Sequence, residues 1–277
     1  MERQYLKNVT PKTLSWYADA FKAFDSALDS DGAIKQRIVE LRQRGVAASS
    51  VNSWLRCING YLKWSGAGLK IPKLKEEQKV LATLNPEQMA RLITFKPKGI
   101  NQTRTHVAAM LMLDGGYRIS ELLDLRQEGC DFDNLVVKVR GKGNKHRLVP
   151  LSVEMRKTLY RYAVKHSGPG RFLFGTRNNT QVTVRNFERD FKAIGRRLAI
   201  TGVRFSPHTL RHSFAVSYLR NGGNLFYLSK ILGHSSVKTT ERYLQSIQVT
   251  DLQAVHDRLS PLAPEHLRGF RVEAVGR

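Results

Sequence analysis

The chain has 277 residues, with 46 lysines and arginines against 23 aspartates and glutamates, which leaves a formal charge of +23. This length accommodates one large or two modest domains, and the charge indicates a polyanionic partner such as nucleic acid. Because 41% of the residues are hydrophobic, the chain is not a disordered basic tail but a packed globule. Two cysteines, Cys57 and Cys130, are too few for a disulfide framework. The sequence shows neither a signal-peptide pattern nor an apolar run of membrane-spanning length, so we expect a cytoplasmic, DNA-associated protein with no membrane partner.

Residues 1–67 are predicted to form a small helical domain. Thr10 and Pro11 have the pattern of a helix start, and three or four amphipathic segments separated by short loops follow, as is typical of a compact bundle. Arg56, on an outer face of the third segment, is a candidate phosphate contact. Residues 68–80 are highly charged and have little apolar periodicity, so we interpret them as an exposed linker.

Most of the positive charge follows this linker. Residues 1–78 contain 13 Lys or Arg and 8 Asp or Glu, whereas residues 79–277 contain 33 and 15. The second part therefore carries +18 of the total of +23, and the main DNA-binding surface is expected there.

Arg118 follows a pair of glycines. After two helices predicted to begin near Asn85 and Gln102, the segment Tyr117–Arg126 is predicted as a further helix with Arg118 in its first turn. An arginine beside glycines that allow close approach of the backbone is well placed to bind an anion. The alternative is a surface charge, or a salt bridge to Glu121 three residues on.

A glycine-rich turn separates two short β-type segments. These segments, Leu135–Arg140 and Lys145–Leu151, predict a β-hairpin. Lysines in such turns are ordinarily only solvated, so the hairpin alone assigns no role to Lys142 or Lys145.

A helix over Val184–Leu198 is predicted to have one buried and one basic face. It follows a predicted helix over Val153–His166, and its residues Phe187, Phe191 and Ile194 recur at helical spacing. The other face carries five basic residues, which are either solvated or in contact with the DNA backbone: Arg185, Arg189, Lys192, Arg196 and Arg197.

The densest group of candidate functional residues lies within residues 206–244. Ser206 and Pro207 are a favourable cap and first residue of a helix. His208 and Arg211 are three residues apart, so they share a face of that helix and are expected to point at one ligand.

A second histidine and a tyrosine follow in the same stretch. The next predicted helix ends at Gly233 and places His234 just beyond it, and a third short helix, capped by Ser235 or Ser236, carries Tyr243. Singly, such residues are most often structural. Together, one arginine, two histidines and a phenol fit a reaction in which the phenol attacks a phosphodiester, because phosphoryl transfer needs positive donors at the non-bridging oxygens.

Three motifs carry a resemblance to a known family. HTLRHSFA, then LGH and a tyrosine nine residues after that histidine, resembles the catalytic box of the tyrosine recombinases, also called the phage integrase family, in particular its Xer-type members. GYRISELLDLR resembles the family's first arginine motif, and GKGNKHRLVPL resembles its β2–β3 hairpin. The resemblance is strong from Tyr117 to Leu244 and weak before Val80.

This resemblance implies a mainly α fold with a small β-sheet or hairpin (α+β). An N-terminal helical core-binding bundle, residues 1–67, would be joined by the linker to a catalytic domain, residues 81–260, and the two would form a C-shaped clamp on DNA. Residues 261–277 would be a C-terminal tail. The helix predicted over residues 249–259 either docks into a neighbouring subunit, as it often does in the family, or packs on its own domain.

The resemblance also implies roles for individual residues. The six catalytic positions of the family match Arg118, Lys142, His208, Arg211, His234 and Tyr243. The tyrosine would attack DNA to give a 3′-phosphotyrosine, while the two arginines and His234 hold the non-bridging oxygens. Lys142, or Lys145 nearby, would protonate the leaving oxygen, and His208 would assist proton transfer or hold the phosphate. Glu121 would fix an arginine in place, and neither a metal nor a cofactor is expected.

The implied partners are double-stranded DNA with inverted-repeat core sites and further copies of the chain. Family members recombine two sites as a tetramer through a Holliday junction, in some cases with a related recombinase or an accessory protein. Either integration and excision of a mobile element or resolution of chromosome dimers fits this chemistry. Two alternatives remain: a type IB topoisomerase, which relaxes single duplexes, and a catalytically silent DNA-binding regulator with the same fold.

Overall fold

The structure, a computed structural model, describes residues 9–25, 27–28, 30–76, 81–141, 146–166 and 171–260. The chain divides into two compact units, Met1–Lys79 and Val80–Arg277. None of the helices in the described ranges combines the length and apolar character that a membrane span requires.

The first unit contains three helices within its described residues. They are α1 (Pro11–Phe24), α2 (Asp31–Gln43) and α3 (Ala48–Trp64). The Thr10 side chain caps α1, with Pro11 as its first residue, and Ser30 caps α2. The amphipathic faces predicted from periodicity pack together around Phe24, Ile34 and Leu55, all fully buried.

Part of the predicted linker packs against α3. Ile71 is only 2% exposed. The Asn59 side chain bonds both the amide and the carbonyl of Ile71, at 2.8 and 2.9 Å, and Asn52 does the same for Leu74. These paired bonds satisfy the backbone of a segment without helix or strand, so residues 71–74 are held to the first unit. The domain boundaries at 67 and 80 remain a prediction.

The second unit is built on helix α5. In its described residues, the α-helices are α4 (Pro86–Thr94), α5 (Gly99–Gly115), α6 (Ile119–Leu123), α7 (Val153–His166), α8 (Val184–Arg197), α9 (Pro207–Arg220), α10 (Leu225–Leu232), α11 (Lys238–Glu241) and α12 (Val249–Leu259). Helix α5 contacts α7, α8 and α9, and it is buried almost all round from Arg104 to Ala109. A helix without a polar face is accommodated at the centre of a domain.

A small antiparallel sheet completes the second unit. Strands β1 (Cys130–Asp131), β2 (Val136–Arg140) and β3 (His146–Pro150) lie in that order, and β2 pairs with β3 in a register that places Val137 opposite Val149. The predicted hairpin is confirmed, and its turn, including Lys142 and Lys145, lies outside the described residues. Strand β1 was not predicted, because two residues are too few to produce an alternating pattern. The predicted fold class, mainly α with a small sheet, is confirmed.

Two predicted helices are wrong in extent. The helix expected over Tyr117–Arg126 spans only Ile119–Leu123, so Arg118 precedes the first turn as its cap residue. The chain leaves the helix because the Leu125 carbonyl accepts a hydrogen bond from the Leu173 amide, at 2.8 Å. Tertiary pairing therefore overrides the helical periodicity in this segment.

The second correction concerns the predicted third helix of the 206–244 segment. Helix α11 is only four residues long, and neither Ser235 nor Ser236 caps it, because Val237 occupies the cap position and provides no side-chain hydrogen bond. Tyr243 lies beyond the helix, just before a 3₁₀ turn over Leu244–Ser246. The nucleophile candidate is therefore on a short irregular connection.

Replacing Gly116 by alanine should destabilise the second unit. Gly116 ends α5 with φ +64°, and a Cβ there would lie 2.5 Å from Phe214 Cδ1 and 2.7 Å from Leu232 Cδ2. Gly202 has φ +74° and no heavy atom within 4 Å of such a Cβ, so Gly202→Ala is a matched control. We expect Gly116→Ala to lower the free energy of unfolding in urea by about 2 kcal/mol more than the control. Equal losses in the two variants would show that packing at Gly116 is adaptable.

Candidate active site

Arg211 lies at the centre of the candidate site. Helix α9 begins as predicted, with Ser206 as its cap, and Arg211 is only 6% exposed. Its Nη1 donates to the Gly116 carbonyl at 2.6 Å and its Nη2 to the Leu232 carbonyl at 2.8 Å. Burial lowers its pKa to about 10, with a further contribution from Arg118, and Arg211 is still a cation at neutral pH. It therefore joins the ends of α5 and α10 and brings positive charge into the site.

Glu121 holds two arginines, Arg118 and Arg147. It accepts hydrogen bonds from the Arg118 amide and Nη1, at 2.8 and 2.7 Å, and from Arg147 Nη1 and Nη2, at 2.5 and 2.9 Å. Burial alone raises the pKa of the carboxyl, but hydrogen bonds and charge from Arg147 and Arg118 outweigh burial and lower it. Glu121 is therefore an ionised anchor inside the site.

Both sequence-based interpretations of Arg118, a salt bridge to Glu121 and an anion-binding side chain, are compatible with the structure. It forms the salt bridge to Glu121, and its Nη2 also donates to the Gly233 carbonyl at 3.0 Å. Its side chain is nevertheless 39% exposed. A guanidinium fixed on one edge and open on another can still donate to a ligand.

His234 is held in one tautomer by its neighbours. An arginine can only donate, so His234 Nε2, 3.0 Å from Arg211 Nη2, is the acceptor. The proton is then on Nδ1, which lies 2.8 Å from Thr240 Oγ1. Burial, followed by the charges of Arg211 and Arg118, lowers the pKa of His234 to about 4. The imidazole is therefore neutral at pH 7.

Tyr243 lies inside this group and is shielded from solvent. It is 2% exposed, packs in a cluster with Phe214 and Leu228, and its ring is nearly parallel to that of His234, with centroids 6.4 Å apart. Its hydroxyl is 3.3 Å from Nδ1 of His212. Burial, followed by the charges of Arg242 and His208, lowers the pKa of His212 to about 4.

The site has an excess of positive charge. Arg118, Arg147 and Arg211 contribute three positive charges and Glu121 one negative charge, which leaves +2 while His234 is neutral. Because these groups are partly or fully buried, water screens that excess less than at the surface. An anion placed beside Tyr243 would therefore be stabilised.

Sequence reasoning missed Arg147 and His212. Arg147 precedes Leu148 and Val149 on β3, and strand alternation places it on the same inward face as Val149, where an arginine needs a carboxylate. His212 is four residues after His208 on α9, and their ring centroids are 6.4 Å apart. The periodicity of the two elements was the available signal for both residues.

Other predicted residues are less closely connected to the site. His208 is exposed on α9, and the five basic residues predicted on α8 are all exposed, although Arg189 pairs with Asp190 at 3.2 Å. Arg56 is exposed on α3 over the Trp16 ring, 5.9 Å from its centroid. Contact of these residues with DNA remains a prediction. No group of three or more His, Cys, Asp or Glu residues that could hold a metal ion occurs in the part of the chain that the structure describes.

Comparison with known proteins identifies the family. Residues 82–248 match the model of the phage integrase family. The chain belongs to this family. It is 30% identical over 202 residues to tyrosine recombinase XerC of Syntrophus aciditrophicus, a match that covers 68% of this chain and 64% of that protein. It is 29% identical over 213 residues to tyrosine recombinase XerA of Pyrococcus furiosus, a match that covers 74% of this chain and 73% of that protein.

The fold agrees with that of solved structures. The Tn1549 transposon integrase, in complex with circular intermediate DNA, has a TM-score of 0.72 to this phage integrase family member at 20% identity, covering 94% of this chain and 97% of that one. The family, fold class and enzyme class predicted from the sequence are therefore confirmed.

Acid should destabilise this phage integrase family protein through its buried histidines. The folded-state pKa of His234 is about 4, against about 6.5 in an unfolded chain. Between these values the unfolded chain binds more protons, so the free energy of unfolding falls as the pH is lowered through this window. We expect His234→Gln to lose less stability than wild type between pH 7 and pH 5 in urea unfolding. Equal losses would show that His234 does not contribute.

Proposed function

We propose that the chain is a site-specific DNA recombinase that uses Tyr243 as its nucleophile. The Tyr243 oxygen would form a bond to a DNA phosphorus while the bond from phosphorus to the 5′ oxygen breaks, which gives a 3′-phosphotyrosine and a 5′-hydroxyl. A 5′-hydroxyl of a second strand then reverses the step without an external energy source. The observation that carries this proposal is a phenol placed beside His234 and Arg211 in a cluster of net charge +2.

The side chains around Tyr243 have complementary roles in this proposal. Arg118, Arg211 and His234 would stabilise the non-bridging oxygens, where charge develops, and His208 would assist proton transfer or hold the phosphate. Because Nε2 of His234 accepts from Arg211 in the absence of DNA, His234 can donate to the phosphate only after Nε2 takes up a proton and Arg211 Nη2 turns to the phosphate. Lys142 would protonate the leaving 5′ oxygen. Because Tyr243 is only 2% exposed, its side chain must turn toward the DNA before attack.

The proposed assembly is a tetramer on two inverted-repeat core sites that passes through a Holliday junction. Helix α12 supports an exchange of contacts between subunits, because it has no buried residue and exposes Val249, Leu252 and Leu259 by 79, 59 and 61%. An apolar helix face that the described residues of its own domain leave uncovered is typical of a surface for another protein chain.

Covalent capture tests the proposal. The protein is incubated with fragmented DNA of its source organism, the reaction is stopped with detergent, and the DNA that stays attached is sequenced. We expect adducts on 3′ ends at one inverted-repeat site. Adducts at many sites, with relaxation of supercoiled plasmid and no strand exchange, would instead indicate a topoisomerase. DNA binding without adducts would indicate a silent regulator.

A further inference from the structure

The proposed mechanism gives no role to Arg147, although this side chain makes three hydrogen bonds within the site. Its Nη1 and Nη2 bind the two carboxylate oxygens of Glu121, at 2.5 and 2.9 Å, and its Nε donates to the Ile231 carbonyl at 2.7 Å. Its side chain is 14% exposed. All three guanidinium nitrogens are therefore used in contacts within the protein.

The first of these links leads to Arg118. Glu121 accepts from Arg118 Nη1 and from Arg147 Nη1 on the same oxygen, so the two guanidinium groups share one carboxylate. A bidentate pair restricts the orientation of a carboxylate more than a single bond does. Without Arg147, Arg118 would be the one remaining partner of the Glu121 carboxylate among the described residues, and Arg118 would lose a fixed anchor.

The second link leads to His234. The carbonyl that Arg147 Nε holds belongs to Ile231, near the end of α10, and His234 follows three residues later. Gly233, between them, has φ +64°, and a Cβ there would lie 2.9 Å from Arg147 Cδ. The Arg147 side chain thus lies against the turn from which His234 projects, and a larger residue at Gly233 would displace it.

We propose that Arg147 is a positioning residue, which holds Arg118 through Glu121 and His234 through the end of α10 in the geometry that stabilises the charged transition state. The inference rests on the proposed function, because it assumes that Arg118 and His234 act on the scissile phosphate. If Arg147 only held β3 against α10, its loss would lower stability, and the resulting loss of cleavage rate would not depend on the charge of that phosphate.

Substrate charge separates these two roles. Single-turnover cleavage is measured on the captured DNA site with either an ordinary phosphate or a neutral methylphosphonate at the scissile position. Methylphosphonate replaces one non-bridging oxygen by a methyl group, so less negative charge needs stabilisation. The variants are Arg147→Met, which keeps length but removes charge, and Arg147→Lys, which keeps charge but removes the bidentate pair. Arg118→Ala is the reference, and Arg156→Met is the matched control.

Arg156 is a suitable control because it anchors a different part of the second unit. Its Nε donates to the Phe132 carbonyl at 2.6 Å, and it lies on α7 near Asp133. Loss of Arg156 therefore removes a half-buried arginine contact without touching Glu121. We expect Arg156→Met to change cleavage of both substrates by less than about threefold.

On the phosphate substrate we expect Arg147→Met to slow cleavage by about 100-fold with DNA affinity nearly unchanged, and Arg147→Lys to slow it by about tenfold. On the methylphosphonate substrate, both variants should cleave only a few-fold more slowly than wild type, and the rate loss of Arg118→Ala should shrink in the same way. If the Arg118→Ala loss shrinks and the Arg147 losses do not, the positioning role is wrong while the proposed function stands. If none shrinks, the assumed role of Arg118 fails and the inference fails with it. Should Arg147→Met not fold, Arg147→Lys gives the same comparison.

Discussion

Replacing Tyr243 by phenylalanine should lower the rate of covalent attachment to DNA by at least about 10³-fold. The substitution removes the one oxygen that forms the bond to phosphorus and keeps the ring that packs with Phe214 and Leu228. The hydrogen bond that is lost, 3.3 Å to His212, is long, so stability should change by less than about 1 kcal/mol. Adduct formation after detergent quenching and DNA affinity by gel shift measure the two effects separately.

Tyr227→Phe is the matched control for Tyr243→Phe. Tyr227 lies on α10 and is 62% exposed, so its hydroxyl is accessible without belonging to the site. The control should form adducts at the wild-type rate. If Tyr243→Phe forms adducts at that rate too, another residue is the nucleophile. If the wild type forms none while binding DNA, the regulator hypothesis replaces the catalytic one.

Replacing Arg211 by alanine should reduce both cleavage and stability. The substitution leaves the Gly116 and Leu232 carbonyls and His234 Nε2 without their donor in a buried region. We expect the free energy of unfolding to fall by about 3 kcal/mol. Cleavage should fall by about 10³-fold, because a cation at the non-bridging oxygens is lost and His234 is no longer fixed. Single-turnover cleavage and urea unfolding measure these losses.

A second arginine on the same helix provides the comparison. Arg220 pairs with Asp251 at 3.1 Å and donates to the Ser246 carbonyl at 3.2 Å, and its side chain is 38% exposed. Arg220→Ala should therefore cost less than about 1 kcal/mol and slow cleavage far less than Arg211→Ala does. Arg211→Lys should retain more stability than Arg211→Ala but not the cleavage rate, because an ammonium cannot reach both carbonyls and the imidazole. Full cleavage by Arg211→Ala would show that Arg211 has only a structural role.

Local sequence determined most of the helices and pointed to several of the residues that the structure brings together. Caps such as Thr10 and Ser206 and the apolar periodicity of α8 act over a few residues, so their effects are visible in the sequence. The same holds for the short stretch that carries Arg211, His234 and Tyr243, whose spacing carried the resemblance that the family match confirms.

Only the tertiary structure decided how these residues are held. The partners of Arg211 include the Gly116 carbonyl, 95 residues away, and those of Arg118 include the Gly233 carbonyl, 115 residues away. The helix that periodicity predicts through Arg126 ends early, because Leu125 pairs with Leu173 instead. Hydrogen bonds between distant segments leave no periodic pattern in a sequence, so the link from Arg147 through Glu121 to Arg118 and the burial of Tyr243 arise only when the elements pack together.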